Sequence, residues 1–152
     1  MKKLIAFGLA LVCVLGLIGC DDTRNKQNDL SETAAFGFAY KRIEGIFARG
    51  ERVGLSVELT NQQNESYVWT GAQTNYRASV KLICNNGGAE YSILPEPVAD
   101  TDDIATHVVM SGETRSCDYY FIIPADAVSG KYGLVCSFEN STQTFDHVFE
   151  LK

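Results

Sequence analysis

Apolar and polar residues alternate with a period of two from Phe36 onward, and this constrains the fold more than any other feature of the chain. Val53, Leu55, Val57 and Leu59 alternate with Gly54, Ser56 and Glu58. Such spacing puts the first set on one face of a strand and the second on the other. Tyr76, Ala78, Val80, Leu82 and Cys84 repeat the pattern against Arg77, Ser79 and Lys81. Tyr132, Leu134, Cys136 and Phe138 do so again within 131–139. No stretch has a helical period, apart from a single turn expected at 125–128.

The alternating runs are separated by residues that bend or stop a strand. Asn85-Asn86-Gly87-Gly88 tolerates the positive φ of a tight hairpin. The run 89–94 then returns as its partner and halts at Pro95-Glu96-Pro97, because proline cannot donate to a ladder. Further strands are expected at 106–110, 117–123, 131–139 and 144–151, the last after a turn at Asn140-Ser141-Thr142. Phe36, Phe38 and Tyr40, with 43–47, read as a first strand containing a break. The fold expected is all-β: a two-sheet antiparallel sandwich of seven to nine strands over 36–152, with a small barrel as the alternative.

The chain has 152 residues, of which 45% are hydrophobic and 21% charged, as one globular domain requires. Its net charge of −6 argues against nucleic acid as a partner. Residues 1–19 are expected to leave before the domain folds. Met1-Lys2-Lys3 is a short basic start, and Leu4 to Ile18 follows without a charge. That run is short for a bilayer span, and its length and flanks are those of a cleavable signal segment. It ends in Leu17-Ile18-Gly19-Cys20, which resembles the lipobox of bacterial lipoproteins. The resemblance implies that the Cys20 thiol receives diacylglycerol, that Cys20 becomes the mature N-terminus, and that the protein is lipid-anchored at the cell membrane facing the periplasm or the exterior. Losing Lys2 and Lys3 takes 13 basic residues to 11 against 19 acidic ones, a net charge of −8 (11 − 19). So acidic a body is expected to stand off an anionic membrane. Residues 20–35 hold Leu30 as their single large apolar side chain and read as a flexible tether reaching about 50 Å when extended.

Two segments resemble bacterial immunoglobulin-like modules. Gly50-Glu51-Arg52-Val53-Gly54-Leu55-Ser56-Val57-Glu58-Leu59-Thr60-Asn61 is similar to their second strand. Asp126-Ala127-Val128-Ser129-Gly130-Lys131-Tyr132 is similar to the corner at which a tyrosine turns its hydroxyl back to the backbone. The order of these segments also resembles the BsuPI-type proteinase-inhibitor domain and related Ig-like lipoproteins. In that arrangement Cys117 and Cys136 lie near the same end of the sandwich, which implies a Cys117–Cys136 disulfide. Cys84–Cys136 is the alternative pairing, and three reduced buried thiols the other possibility. The inhibitor resemblance would place an exposed loop, 61–66 or 95–103, in a protease cleft.

No G-x-S-x-G, phosphate loop or H-E-x-x-H occurs, so no catalytic residue, cofactor or metal ligand is assigned. Asp100, Asp102 and Asp103 lack the spacing of a calcium loop and read as solvated. Tyr67, Trp69 and Tyr76 flank a polar stretch and read either as a sugar or peptide platform or as core. His147 keeps step with Phe145, Phe149 and Leu151 and is expected to border the core. The function expected is a non-enzymatic, membrane-anchored interaction module with a protein partner. A BsuPI-type inhibitor and a structural part of an envelope complex are the alternatives.

Overall fold

A computed structural model describes residues 34–72, 77–99 and 104–152. Ala34–Lys152 is one compact unit, all-β, with nine antiparallel strands among the described residues. β1 (Phe36–Glu44), β2 (Arg52–Asn61) and β7 (Thr114–Ile122) form a sheet in the order β1-β2-β7. β5 (Ala89–Ile93), β4 (Ser79–Asn86), β8 (Gly130–Phe138) and β9 (Ser141–Leu151) form a second sheet in the order β5-β4-β8-β9. β3 (Tyr67–Ala72) and β6 (Ile104–Val109) pair with each other as a separate two-stranded ribbon.

The alternating residues meet between the two larger sheets. Val53, Leu55, Val57 and Leu59 of β2 pack with Val80, Leu82 and Cys84 of β4 and with Tyr132, Leu134, Cys136 and Phe138 of β8. Burying each such aliphatic side chain stabilises the fold by roughly 1.5–3 kcal/mol. The Phe36 ring meets Phe138 edge-on at 4.8 Å, which joins the sheets at one pole. At the other pole Phe47, Phe149 and Tyr132 stack in parallel, with centroids 4.0 Å and 4.7 Å apart. Side-chain bonds stitch the open β1/β9 side: Phe36 N donates to Ser141 Oγ at 3.0 Å and Phe38 N to Gln143 Oε1 at 3.2 Å.

The turns follow the chemistry of their residues. Gly87 and Gly88 both have positive φ, 61° and 89°, and close the two-residue β4–β5 hairpin. Gly45 has φ 71°, and a Cβ there would lie 2.1 Å from the Arg52 carbonyl oxygen. The first strand ends at Glu44, with Ile43 and Ile46 exposed and Phe47 half-buried. The expected break therefore closes β1, and only Phe47 returns to the core.

Three local expectations are corrected. The β8–β9 turn lies at Glu139-Asn140, one residue early, and Glu139 takes the positive φ (50°). A bulge shifts the β9 register between the Tyr132–Phe149 and Leu134–Phe145 pairs. The bulge turns Val148 toward the core and leaves His147 exposed, so His147 does not border the core. Finally, β3 is a strand that alternation alone does not announce.

The corner resemblance is realised in geometry. Tyr132 is fully buried, and its hydroxyl donates to the Val128 carbonyl four residues upstream at 2.8 Å. Arg49 braces the same corner, donating to Ala127 O at 3.0 Å, Ser129 Oγ at 2.8 Å and Lys152 O at 2.6 Å.

Candidate interaction surfaces

Cys20, Tyr76, Asp100, Asp102 and Asp103 lie outside the described residues. The three cysteines within them, Cys84, Cys117 and Cys136, are free thiols in the structure. Cys117 sits opposite Val57 in one sheet and Cys136 opposite Val80 in the other. Register removes the Cys84–Cys136 alternative. Cys84 pairs with Tyr132, four residues along β8 from Cys136, or about 13 Å. Burial pushes the Cys136 thiol up to about 12 and raises Cys117 as well, which keeps both protonated and slow to react.

The free edge of β7 forms the floor of an open groove. Its residues 116, 118 and 120 point their backbone groups away from β2, since alternate residues of a strand share an edge. Glu96 N caps the Tyr120 carbonyl at 2.6 Å, and the prolines on either side of Glu96 can add no second donor. Arg77 caps the Asp118 carbonyl through Nη2 and lays its guanidinium 4.6 Å from the Tyr119 ring centre. The Arg77 Nε is buried and has no hydrogen-bond partner among the described residues. A hollow of about 560 Å³ opens here between Arg77, Ser79, Pro95, Pro97, Val98 and Tyr119. A second, of about 470 Å³, continues past Arg77 and Val98 to Ser116, Cys117 and Asp118. The Tyr119 hydroxyl donates to Ala78 O at 2.7 Å, and burial pushes its ionisation up to about 12. The walls offer an extended chain the Ser116 backbone groups, the Asp118 N–H and apolar contact on Val98.

The ribbon is rooted by Asn61, which is completely buried. Its Nδ2 donates to Val109 O and to Glu65 O, both at 2.9 Å, and its Oδ1 accepts from Gln63 N at 3.0 Å. Asn61 closes the segment that resembles the second strand of Ig-like modules, and here it binds the ribbon to the sandwich. Tyr67 turns inward, meeting Phe36 and Phe138 edge-on at 5.3 Å and 5.7 Å, and its hydroxyl donates to Glu139 Oε1 at 2.6 Å. Burial first, and then the Glu139 carboxylate, push Tyr67 up to about 12. Tyr67 is therefore core rather than platform. Trp69 is half-buried and lies against His107 with ring centres 4.7 Å apart.

The two loops singled out by the inhibitor resemblance are held down where they are described. Gln62 N donates to Ala35 O and Ser111 Oγ to Gln63 O, while Glu96 lies on β7. Among the described residues no group of three His, Cys, Asp or Glu is placed to hold a metal ion.

No family model matches the chain, and no curated protein matches it. A β-glucosidase involved in saponin metabolism from intestinal bacteria aligns with 76% of this chain at 16% identity and a TM-score of 0.35. The aligned region is 16% of that enzyme's length, and a likeness this slight carries no functional argument.

Proposed function

We propose that the chain is a membrane-anchored extracytoplasmic lipoprotein whose Ig-like sandwich is a non-catalytic interaction module. The carrying observation is Leu17-Ile18-Gly19-Cys20 at the end of an uncharged run behind a basic start. Signal segment 1–19 is removed, Cys20 is acylated, and 20–35 is the tether. One acyl chain holds weakly, whereas the two or three of a lipoprotein hold firmly. The partner is a protein, and the groove along β7 is the surface that suits it. An extended segment added beside β7 gains backbone hydrogen bonds from the Ser116 N–H and carbonyl and the Asp118 N–H, with Arg77 and Val98 alongside it.

Mass spectrometry of the mature N-terminus tests the anchor: the first residue is Cys20 carrying diacylglycerol. A Cys20→Ala form moves to the soluble fraction, and its retention in the membrane would refute the anchor. Proximity labelling from the acylated protein tests the groove: Arg77→Gln loses neighbours that the parent labels. Neighbours unchanged in Arg77→Gln place the partner elsewhere.

The second reading is inhibition of the BsuPI kind, favoured by the segment order and by an exposed stretch ending in Pro97-Val98. A protease panel with no inhibition, and rapid cleavage within 95–103, removes it.

A further inference from the structure

We infer that the outer face of the β3–β6 ribbon rests on the lipid surface, an inference that depends on the lipid anchor proposed above. Register assigns the faces: Tyr67, Trp69, His107 and Val109 share the inner side, and Val68, Thr70, Thr106, Val108 and Ile104 the outer. Met110 continues the outer side beyond β6. None of these outer residues is charged, and the threonine hydroxyls bond to each other at 3.1 Å. Ile104 is 75% exposed, Met110 64%, Val68 57% and Val108 39%. A contiguous apolar face of this kind marks a contact with a partner or a membrane.

Two observations select the lipid. The first is where the chain from the anchor joins the domain. Phe36, two residues after the first described position, packs on Tyr67 at the root of the ribbon, and Ala35 O accepts from Gln62 N beside it. The described chain therefore enters the domain at the pole that carries this face. The second is size. Six paired residues at about 3.4 Å each, two strands wide, present on the order of 200 Å². A stable protein interface needs roughly 800 Å² on each side, so a second copy of the chain is poorly served by this face. A domain already held at the bilayer needs far less, because the covalent lipid supplies the effective concentration. Asp100, Asp102 and Asp103 precede Ile104 in the chain, so the contact suits zwitterionic rather than anionic lipid.

The acylated full-length mature protein, incorporated in phosphatidylcholine vesicles that include a diazirine-bearing phosphatidylcholine, tests this directly. After photolysis, lipid adducts are expected on peptides containing Val68, Ile104 and Met110. They should exceed by about tenfold those on Leu94 and Ile46, which are comparably exposed (68% and 59%) but lie off the ribbon. Ile104→Asp with Met110→Asp removes that excess while the protein still floats with the vesicles. Adducts spread evenly over Leu94, Ile46 and the ribbon overturn the inference and leave the anchor standing. Protein–protein crosslinks through the ribbon in place of lipid adducts overturn it in favour of self-association. Heavier labelling on phosphatidylglycerol vesicles at low salt overturns the apolar basis. Failure of the acylated protein to float overturns the anchor, and the inference with it.

Discussion

The side-chain amide of Asn61 donates to the backbone carbonyl of Val109, 48 residues away, at 2.9 Å. This bond ties the last residue of β2 to the last residue of β6, and together with Tyr67 packed on Phe36 and Phe138 it holds the ribbon to the sandwich. Asn61→Ala leaves the Val109 carbonyl without that donor and opens a cavity. The expected cost is about 1–3 kcal/mol in urea unfolding. Amide exchange in 67–72 and 104–109 rises before that of β4 or β8. If the whole domain loosens together, Asn61 does not root the ribbon separately.

Tyr132→Phe keeps the buried ring and its stack on Phe149 but removes the hydroxyl that bonds to Val128. The expected loss is roughly 1 kcal/mol with an unchanged urea m-value. A loss near zero would mean that water replaces the hydroxyl at the corner.

Gly45→Ala combines two penalties, a left-handed φ of 71° and a Cβ 2.1 Å from the Arg52 carbonyl oxygen. Backbone oxygen cannot swing aside as a side chain can, so the β1–β2 connection must shift. The expected destabilisation exceeds about 1 kcal/mol. Gly50→Ala has nothing within 4 Å of its added carbon but also a positive φ of 80°, and it should cost less. Thermal or urea unfolding of the pair separates backbone strain from collision.

Alkaline pH is expected to unfold the domain. Burial, the leading cause in each case, pushes Tyr67, Tyr119, Tyr132 and Cys136 up to about 12, from ordinary values of 10.0 and 9.0. Folding thus favours their neutral forms. The stability this supplies is fully present below pH 9 and is lost as pH climbs through 12. Absorbance at 295 nm should show a fraction of the tyrosines ionising only together with the loss of β-structure by circular dichroism. Ionisation of every tyrosine in a folded domain would contradict the burial of these three.

Thiol reactivity discriminates among the cysteines. In the native Cys20→Ala form, Cys84 and Cys136 are silent toward a thiol reagent and Cys117 reacts slowly. Denaturation without reductant releases all three. If only one becomes reactive, two are joined.

Strong alternation made β2, β4 and β8 legible, because each has one face in a shared core. Local turn chemistry made Gly87-Gly88 legible for the same reason that it works in any chain. β3 was not legible. Tyr67-Val68-Trp69 is apolar on both faces, and the reason for its inner and outer sides lies in β6, whose paired residues come 38 to 42 positions later. His147 departs from the expectation because the two extra residues of β9 fall between Phe145 and Phe149 and take 146–148 out of the alternation that resumes at Phe149, and nothing in the local sequence announces it. Register bears only on the alternative Cys84–Cys136 pairing: the spacing of these two along the chain says nothing of their offset across the β4–β8 ladder. The β7 groove needed three segments, 77–79, 95–98 and 116–120, that no local pattern connects.

Pro95 and Pro97, either side of the single Glu96 N–H that meets β7, have a consequence at high density. Under the proposed anchor, molecules confined to a plane collide far more often than the same molecules in bulk. Exposed ladder edges there invite runaway sheet growth from molecule to molecule. With the Glu96 N–H already given to Tyr120 O, residues 95–97 leave an approaching neighbour no amide where a normal strand would offer three, so crowding yields encounters that part again and not a growing fibre.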